Sequence, residues 1–335
     1  MKTLAIETSC DDTSLAIVRE ENGSFFVDKI MAYSQIDDHQ KYGGVVPEIA
    51  FRLHSEQILA LLKHFLDDIK DVQSISVTTH PGLAGSLLVW KTVAHMLWKQ
   101  YNLPVVWVHH IYGHLFSLLL DRNIDDLVFP WVILTASWGH NEIYVVDREQ
   151  GLGIRDLKIA ELSITKLGKT LDDAAGECFD KVARMLGWPY PGWQWISEQA
   201  LKWGPNPEFR FKRILLPGHE NHYDFSFSWM KSQAYNLLQK LDKQWIAIQW
   251  QVLFDIAYEF QEAIVDILTH KLLQAVQQYN AQTVGIVWGV SANDRLFEQS
   301  SLQIENNLWK KVLRPTKKLY STDNGAMIGV VGLLS

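Results

Sequence analysis

Hydrophobic and polar positions alternate along the chain in blocks that predict a repeated order of elements. Residues 2–7 are apolar and extended, residues 8–13 small and polar, and residues 14–19 β-type again. That pattern predicts a strand, a tight turn and a second strand, with a third over residues 25–32. Residues 47–69 carry apolar side chains at helical spacing (Ile49, Leu53, Ile58, Leu61, Leu62, Phe65), with Pro47 near the start, where proline is tolerated. A strand over residues 74–79, a His-Pro-Gly turn, a helix to about Tyr101 and a short buried strand at 105–108 follow. That strand runs into residues 109–114 and another apolar helix. Residues 131–137 predict a strand with a hairpin mate at 141–146, and residues 172–187 a helix. Residues 204–223 are loop-rich, and residues 244–278 form the longest helical stretch, with a break. A buried strand at 283–287, a helix from about Ala292, a strand at 311–314 and a closing helix near Asn324 complete the pattern. Strands first, then strand–helix alternation, then the same order again predict an α/β chain with two similar halves and a ligand between them.

Composition adds limits. The 335 residues suffice for two lobes, and 47% hydrophobic with 21% charged residues excludes disordered, collagen-like and coiled-coil classes. No apolar run approaches the roughly 18–20 residues that span a bilayer, and the N-terminal apolar stretch is too short for a signal peptide; a cytoplasmic protein is expected. Two cysteines, Cys10 and Cys178, give neither a disulfide framework nor a cysteine-based zinc site. A net charge of −7 is not that of a strongly basic nucleic-acid binder, so an RNA substrate would need a local basic patch or a partner's help.

Several clusters carry possible chemistry. His110 and His114 are four apart, hence on one face of a helix; they read as a bidentate metal pair or as polar helix residues. Asp323 reads as a third ligand or as the N-cap of the last helix. Two histidines and a carboxylate form a facial set suited to Fe(II) and also to Zn(II). The run Glu7 to Ser14 can face a phosphate or metal, or be an ordinary polar turn. Residues 137–140 and 288–293 each follow a buried strand, and the second precedes a helix, an arrangement that can present backbone N–H groups to an anion. Asp173, Glu177 and Asp180 fall near one helix face, as a site or as a solvated face. There is no His-Glu-x-x-His protease motif.

Taken in order, these pieces resemble the tRNA N6-adenosine threonylcarbamoyltransferase family over nearly the whole chain. The matching motifs are Ile6-Glu-Thr-Ser-Cys-Asp-Asp-Thr13, Gly43-Gly-Val-Val-Pro-Glu48, Pro81-Gly-Leu-Ala-Gly-Ser-Leu-Leu88, His109-His-Ile-Tyr-Gly-His114, Asp172-Asp-Ala-Ala-Gly-Glu177, Phe179-Asp-Lys181, Tyr190-Pro-Gly192, Asp224-Phe-Ser-Phe-Ser228, Val290-Ser-Ala-Asn293 and Thr322-Asp-Asn-Gly-Ala-Met327. The resemblance implies an actin-like/sugar-kinase-like two-lobed α/β fold with duplicated ribonuclease-H-like mixed sheets. Residues 1–115 with 308–335 would form the first lobe and residues 116–307 the second. It implies one divalent metal, Fe2+ before Zn2+, on His110, His114 and Asp323. It implies that threonylcarbamoyl-AMP is bound by Thr135, Ala136, Ser137, Trp138, Gly139, His140, Asp180, Trp193 and Asn293. The amine of adenosine 37, in tRNAs reading codons that begin with A, attacks the carbamoyl carbon and AMP leaves. No side chain is an obvious general base; Asp11 and Asp12 are the candidates, and the family commonly has Glu at the position of Asp12. The implied partners are tRNA, a related dimerising subunit and a small ATPase, with no membrane. An O-carbamoyltransferase acting on a small molecule would use similar chemistry, but the match is full-length without an extra catalytic domain.

One departure stands out. Trp occupies positions where the family pattern has Gly: Trp90, Trp107, Trp138, Trp193, Trp229 and Trp288, six of the 14 Trp. Exchanging the smallest residue for the bulkiest brings strain and overpacking of several kcal/mol by order of magnitude, roughly at each site, and three of these indoles should obstruct a nucleotide site. An exchange confined to one residue type points to one cause. Gly codons lie one base from UGA, which some bacterial lineages read as Gly and a common alternative code reads as Trp. The expectation is Gly at these positions in the natural protein; if the Trp are genuine, the chain is an inactive paralogue or scaffold.

Overall fold

The computed structural model describes residues 1–148, 157–202, 204–215, 223–243 and 250–335. It contains two compact units, Met1–Val128 with Asp147–Ser163 and Arg314–Ser335, and Phe129–Val146 with Ile164–Leu313. The first unit extends past the expected boundary at residue 115 because Leu118, Leu119, Leu120 and Ile124 are buried. Bridges from Ser24 to Asn123 and from Phe25 to Leu120 tie this stretch to the sheet.

The first unit begins with β1 (Lys2–Glu7), β2 (Asp12–Glu21), β3 (Ser24–Ser34), the short α1 (Ile36–Gln40) and α2 (Pro47–Lys63). It continues with β4 (Ser74–His80), α3 (Ala84–Tyr101), β5 (Val105–His109) and α4 (His110–Phe116). The chain then supplies β6 (Trp131–Ala136), β7 (Asn141–Arg148), β8 (Leu162–Gly168), α5 (Ala175–Met185), α6 (Gly192–Ala200), α7 (Ser228–Lys243), α8 (Trp250–Gln278), β9 (Thr283–Val287), α9 (Asp294–Leu308) and β10 (Val312–Leu313). It returns to the first unit with α10 (Gly325–Leu333). The two sheets run β3-β2-β1-β4-β5 and β8-β7-β6-β9-β10. In each, the first strand pairs antiparallel with the second and parallel with the fourth. The duplicated mixed sheet expected from the sequence is therefore present.

The sequence pattern and the structure differ in places. The helix expected over 47–69 stops at Lys63, and that expected over 172–187 starts at Ala175. Three elements escaped the pattern. β8 has a single buried residue, Gly168, while α6 and α7 carry apolar positions at helical spacing (Trp193, Ile196 and Ala200; Met230, Ala234, Leu237, Leu238 and Leu241) that the pattern reading passed over. Residues 244–249, expected in the long helix, lie outside the described residues.

Strand alternation in β1 sorts its side chains between two helical layers. Leu4 and Ile6 join the core with α2 and α3, through Ile58, Leu61, Val89, Val93 and Leu97. The other face lies against α10, whose glycines make room. A Cβ on Gly329 would fall 2.4 Å from Val18 Cγ2 and 3.3 Å from Ala5 Cβ, and one on Gly325 2.9 Å from the Ala16 backbone nitrogen. Gly113 in α4 does the same toward the other side of α10, where a Cβ would meet Ile328 at 2.9 Å. Bare helix faces thus set the distances among α4, α10 and the sheet. Overpacking here costs about 1–3 kcal/mol. Gly329→Val should lower the free energy of urea unfolding by about that much, whereas Gly44→Ala, with no atom within 4 Å of the added Cβ, should change it by under about 0.5 kcal/mol.

Candidate functional site

The helical spacing of His110 and His114 is realised: α4 starts at His110 and carries both residues on one buried face. Asp323 precedes α10, and the helix is capped not by it but by Asn324, whose Oδ1 accepts the Met327 N–H at 3.0 Å. Asp323 is thereby released from capping and lies beside the histidines. Its Oδ1 is 3.0 Å from His114 Nε2 and 3.7 Å from His110 Nε2, and the two Nε2 atoms are 3.2 Å apart. Two donors sharing an ion at about 2.1 Å are about 3.0 Å apart in cis octahedral geometry and about 3.4 Å apart in tetrahedral geometry. Two of the three separations lie within this range, and the third, 3.7 Å between Asp323 Oδ1 and His110 Nε2, lies just beyond it. Among the described residues this is the only cluster of three or more such groups with metal-ligand spacing.

Charge is concentrated here with little water. Burial opposes a charge on His110, but Asp323 and Glu7 outweigh it and carry the imidazole to about 9. Burial and the neighbouring His110 hold His114 below its ordinary value. Glu7 is fully buried. Burial pushes its carboxyl up, but the charge and hydrogen bond of His110, with a hydrogen bond from the Ser9 side chain, bring it below the ordinary range.

Asp11 and Asp12 lie in the same field. Burial, then the charge of Asp323, raises Asp11; burial, Asp11 and Asp323 raise Asp12 to about 8. The turn that holds them is pinned from outside. His54 contacts Thr13 Oγ1 through Nδ1 at 2.7 Å and donates from Nε2 to the Cys10 carbonyl at 2.9 Å. The Gly82 Cα comes so close that a Cβ would sit 2.8 Å from the Ser9 carbonyl oxygen.

The predicted donor-binding residues lie in the other unit, and most are already engaged. Thr135 and Ala136 end β6 and are buried. Ser137 to His140 form the turn of the β6–β7 hairpin, closed by Ser137 N–H to the His140 carbonyl at 2.9 Å and by His140 N–H to Ser137 Oγ at 2.9 Å. The first N–H groups of α5 do not point outward: Gly176 and Glu177 donate to the Ser137 and Trp138 carbonyls. A Cβ on Gly139 would meet no atom within 4 Å, so this turn tip is open. Asp180 accepts the Gly192 N–H at 2.6 Å through one oxygen and the Trp138 indole N–H at 2.6 Å through the other. Burial raises its carboxyl above the ordinary range. Trp193 packs against the core of this unit. Asn293 caps α9 through Leu296 N–H and donates to Ser197 Oγ and Gln261 Oε1. Trp288 stacks on His140, ring centroids 6.3 Å apart. The acidic run also finds its partners: Asp173 and Glu177 pair with Lys181, and Asp172 accepts N–H and O–H groups at the start of α7.

Two features were missed in the sequence. Glu7 fell within a run noted as able to face a metal, yet its place beside His110 depends on strand register. Trp309, outside the six Gly positions, follows α9 with φ +57° and ψ +30°, the left-handed helix-ending conformation that favours Gly; the signal was its position just after a helix.

A carboxyl raised in the folded state binds a proton that the unfolded chain has released, so stability falls as pH rises from about 4 toward about 8. In metal-free protein, Asp12→Asn should remove that loss. Its thermal midpoint should exceed the parent's by more at pH 8 than at pH 5, as read by circular dichroism.

A family profile described as tRNA N6-adenosine threonylcarbamoyltransferase matches residues 29–330. The protein of that name from Bdellovibrio bacteriovorus is 40% identical over 99% of this chain and 92% of its own length, and that from Bacillus subtilis is 38% identical over 100% and 90%. Among solved structures, the activator of 2-hydroxyisocaproyl-CoA dehydratase from Clostridium difficile aligns with a TM-score of 0.51 at 10% identity over 100% of this chain and 94% of its own. HypF from T. kodakarensis aligns at 0.58 and 13% over 99% of this chain and 47% of its own. These two share the fold. On the family profile and the full-length relatives, the chain belongs to the tRNA N6-adenosine threonylcarbamoyltransferase family.

Proposed function

We propose that this chain transfers the threonylcarbamoyl group of threonylcarbamoyl-AMP to N6 of adenosine 37 in tRNAs reading codons that begin with A. The observation that carries the reading is the convergence of His110, His114 and Asp323 in a chain of this family. The N6 lone pair forms the new C–N bond, the carbamoyl C–O bond to phosphate breaks with its electrons leaving on AMP, and one N6 proton departs to a base. His110, His114 and Asp323 would hold a divalent ion, Fe2+ before Zn2+, which when bound supplies Lewis-acid polarisation of substrate oxygens. Asp11 and Asp12 are the nearby carboxyls for the proton. Both are raised by burial and by the charge of Asp323, Asp12 to about 8, which makes each a stronger proton acceptor than a free carboxylate. The turn 135–140, Asp180, position 193 and Asn293 would shape the adenylate site.

The same reading takes Gly, not Trp, at positions 90, 107, 138, 193, 229 and 288 of the protein made in its own cell, through UGA read as Gly. Trp288 supports it most directly: its φ of +77° with ψ of −179° is a backbone region used essentially by Gly alone. The other non-Gly residues with positive φ, among those described, are Asn22, Asn102, Asp121 and Asn280, types that tolerate it, and Trp309. Trp90 is fully buried with its indole N–H lacking an acceptor, a cost of about 1–3 kcal/mol. The Trp138 indole occupies Asp180 through its N–H, and the Trp288 ring lies parallel to that of His140 at 6.3 Å; both partners are expected to face the donor.

A net charge of −7 leaves little excess cation for phosphate contacts, which dominate RNA affinity. That supports a related dimerising subunit and a small ATPase sharing the tRNA, in the cytoplasm. Among the described residues no helix is long and apolar enough to cross a membrane.

Trp288→Gly should raise unfolding stability by about 1–3 kcal/mol in urea titration; no gain would count against glycine at 288. The functional test compares the chain as given with one carrying Gly at the six positions, each with Fe2+ or Zn2+, threonylcarbamoyl-AMP, tRNA and partner subunits from a relative. Mass spectrometry of digested tRNA should show threonylcarbamoyl-adenosine with the Gly chain and at least about 100-fold less with the Trp chain, a difference of about 3 kcal/mol in barrier. No product from the metal-loaded Gly chain would overturn the transferase reading. Tryptophan in native peptides spanning 138, 193 and 288 would overturn the Gly assignment and favour a non-catalytic scaffold.

A further inference from the structure

The alternation of β1 that sends Leu4 and Ile6 toward α2 and α3 places a carboxylate at its end, Glu7, on the other face. It is fully buried. A buried carboxylate is costly unless each oxygen is matched by donors, and here the match is complete. Oε1 accepts the Ser9 N–H at 2.5 Å, and Oε2 accepts the Thr78 hydroxyl at 2.5 Å and faces His110 Nδ1 at 3.1 Å. The Glu7–His110 contact joins residues 103 apart in the chain. Ser9 Oγ also lies near His110 Nδ1, at 3.2 Å.

We propose that Glu7 is a positioning residue for His110: by holding Nδ1–H, its carboxylate keeps the opposite nitrogen, Nε2, as the lone pair offered toward His114 Nε2 and Asp323 Oδ1. The inference rests on the metal reading above. A ligand histidine whose other ring nitrogen donates to a carboxylate has its tautomer and ring orientation fixed and its basicity raised. An imidazole carries one proton when neutral, so the group facing Nδ1 decides which nitrogen is left to bind. Glu7 also ties the ligand to the sheet, since its remaining hydrogen bonds go to the turn after β1 and to β4. Replacing it with glutamine puts an NH2 group either against the Ser9 N–H, donor to donor, or against Thr78 and His110. In the second case His110 Nδ1 must become the acceptor, and its proton moves to Nε2.

The test titrates the full chain with Co2+ and follows the visible absorption of the bound ion, in parent, Glu7→Gln, Ser9→Ala, Thr78→Val and His114→Ala proteins. Circular dichroism of the metal-free proteins identifies those that stay folded. The parent should bind one Co2+, and His114→Ala should lose it. Glu7→Gln should still bind one Co2+, about 10–100-fold more weakly, with shifted absorption bands. Thr78→Val, which keeps the carboxylate but loosens it, should move both quantities the same way by a smaller factor, and it carries the test if Glu7→Gln does not fold. Equal affinity and an identical spectrum in parent and Glu7→Gln, or in parent and Thr78→Val where only the latter folds, would overturn the role of Glu7. A loss in Ser9→Ala at least as large as in Glu7→Gln would do the same, since Ser9 would then orient the ring. A parent that binds no Co2+, or a His114→Ala variant that keeps it, would overturn the metal reading itself.

Discussion

The site in the first unit depends on how closely one helix can lie on a sheet. Asp323 is the residue next but one before α10, so its position follows that helix. An α-helix bearing ordinary side chains packs roughly 10 Å from a sheet. Gly325 and Gly329 remove the spacer on the sheet side, and Gly113 removes it on the side of α4. Only then does the loop before α10 come within about one ion's reach of two histidines presented by α4, given metal–ligand bonds of about 2.1 Å. The three ligands come from two elements some 200 residues apart in sequence, yet their distances depend on the absence of side chains at Gly113, Gly325, Gly329 and Gly332, the last of which lies against Ser76 of β4.

Close packing creates a second problem, which is charge. Glu7, Asp323 and the two histidines are brought together with little solvent, and Asp11 and Asp12 add two more carboxyls. Without a cation the cluster settles by proton transfer: His110 is held charged between Glu7 and Asp323, His114 stays below its ordinary value, and Asp12 keeps its proton. A divalent ion would supply the positive charge that His110 otherwise carries. The same field that makes the site receptive to a cation makes the metal-free state respond to pH.

The local parts of this design were legible in the sequence. A strand over residues 2–7 and another over 283–287 follow from short apolar cores, Leu4-Ala5-Ile6 and Val284 to Val287, and the four-residue step from His110 to His114 fixes a shared helix face. The choice between Asp323 as cap and as ligand was not legible, because both uses occupy the same position; the structure decides it by giving the cap to Asn324. Nor was the role of Glu7, since a buried acid at a strand end acquires meaning only when a residue 103 positions away arrives beside it. α6 and α7 were legible but passed over, since Ile196 and Ala200, and Met230, Ala234, Leu237, Leu238 and Leu241, recur at helical spacing; β8, with a single buried residue, carries little such signal.

The second unit reverses the logic of the first. There the side chains expected to read a ligand are spent on the protein itself: Asp180 on the Gly192 N–H and the Trp138 indole, Asn293 on the cap of α9, Ser137 on its own turn. What these anchored turns offer outward is mainly backbone and shape. A surface of that kind is acutely sensitive to the size of the residues at its bends, since a side chain there cannot be turned away without moving the turn. Trp288 shows the conflict in one residue, because its backbone holds a conformation that only glycine adopts without strain while its indole lies across His140. At position 288 the backbone is in a region used essentially by glycine, and the indole there is out of keeping with the turn that carries it.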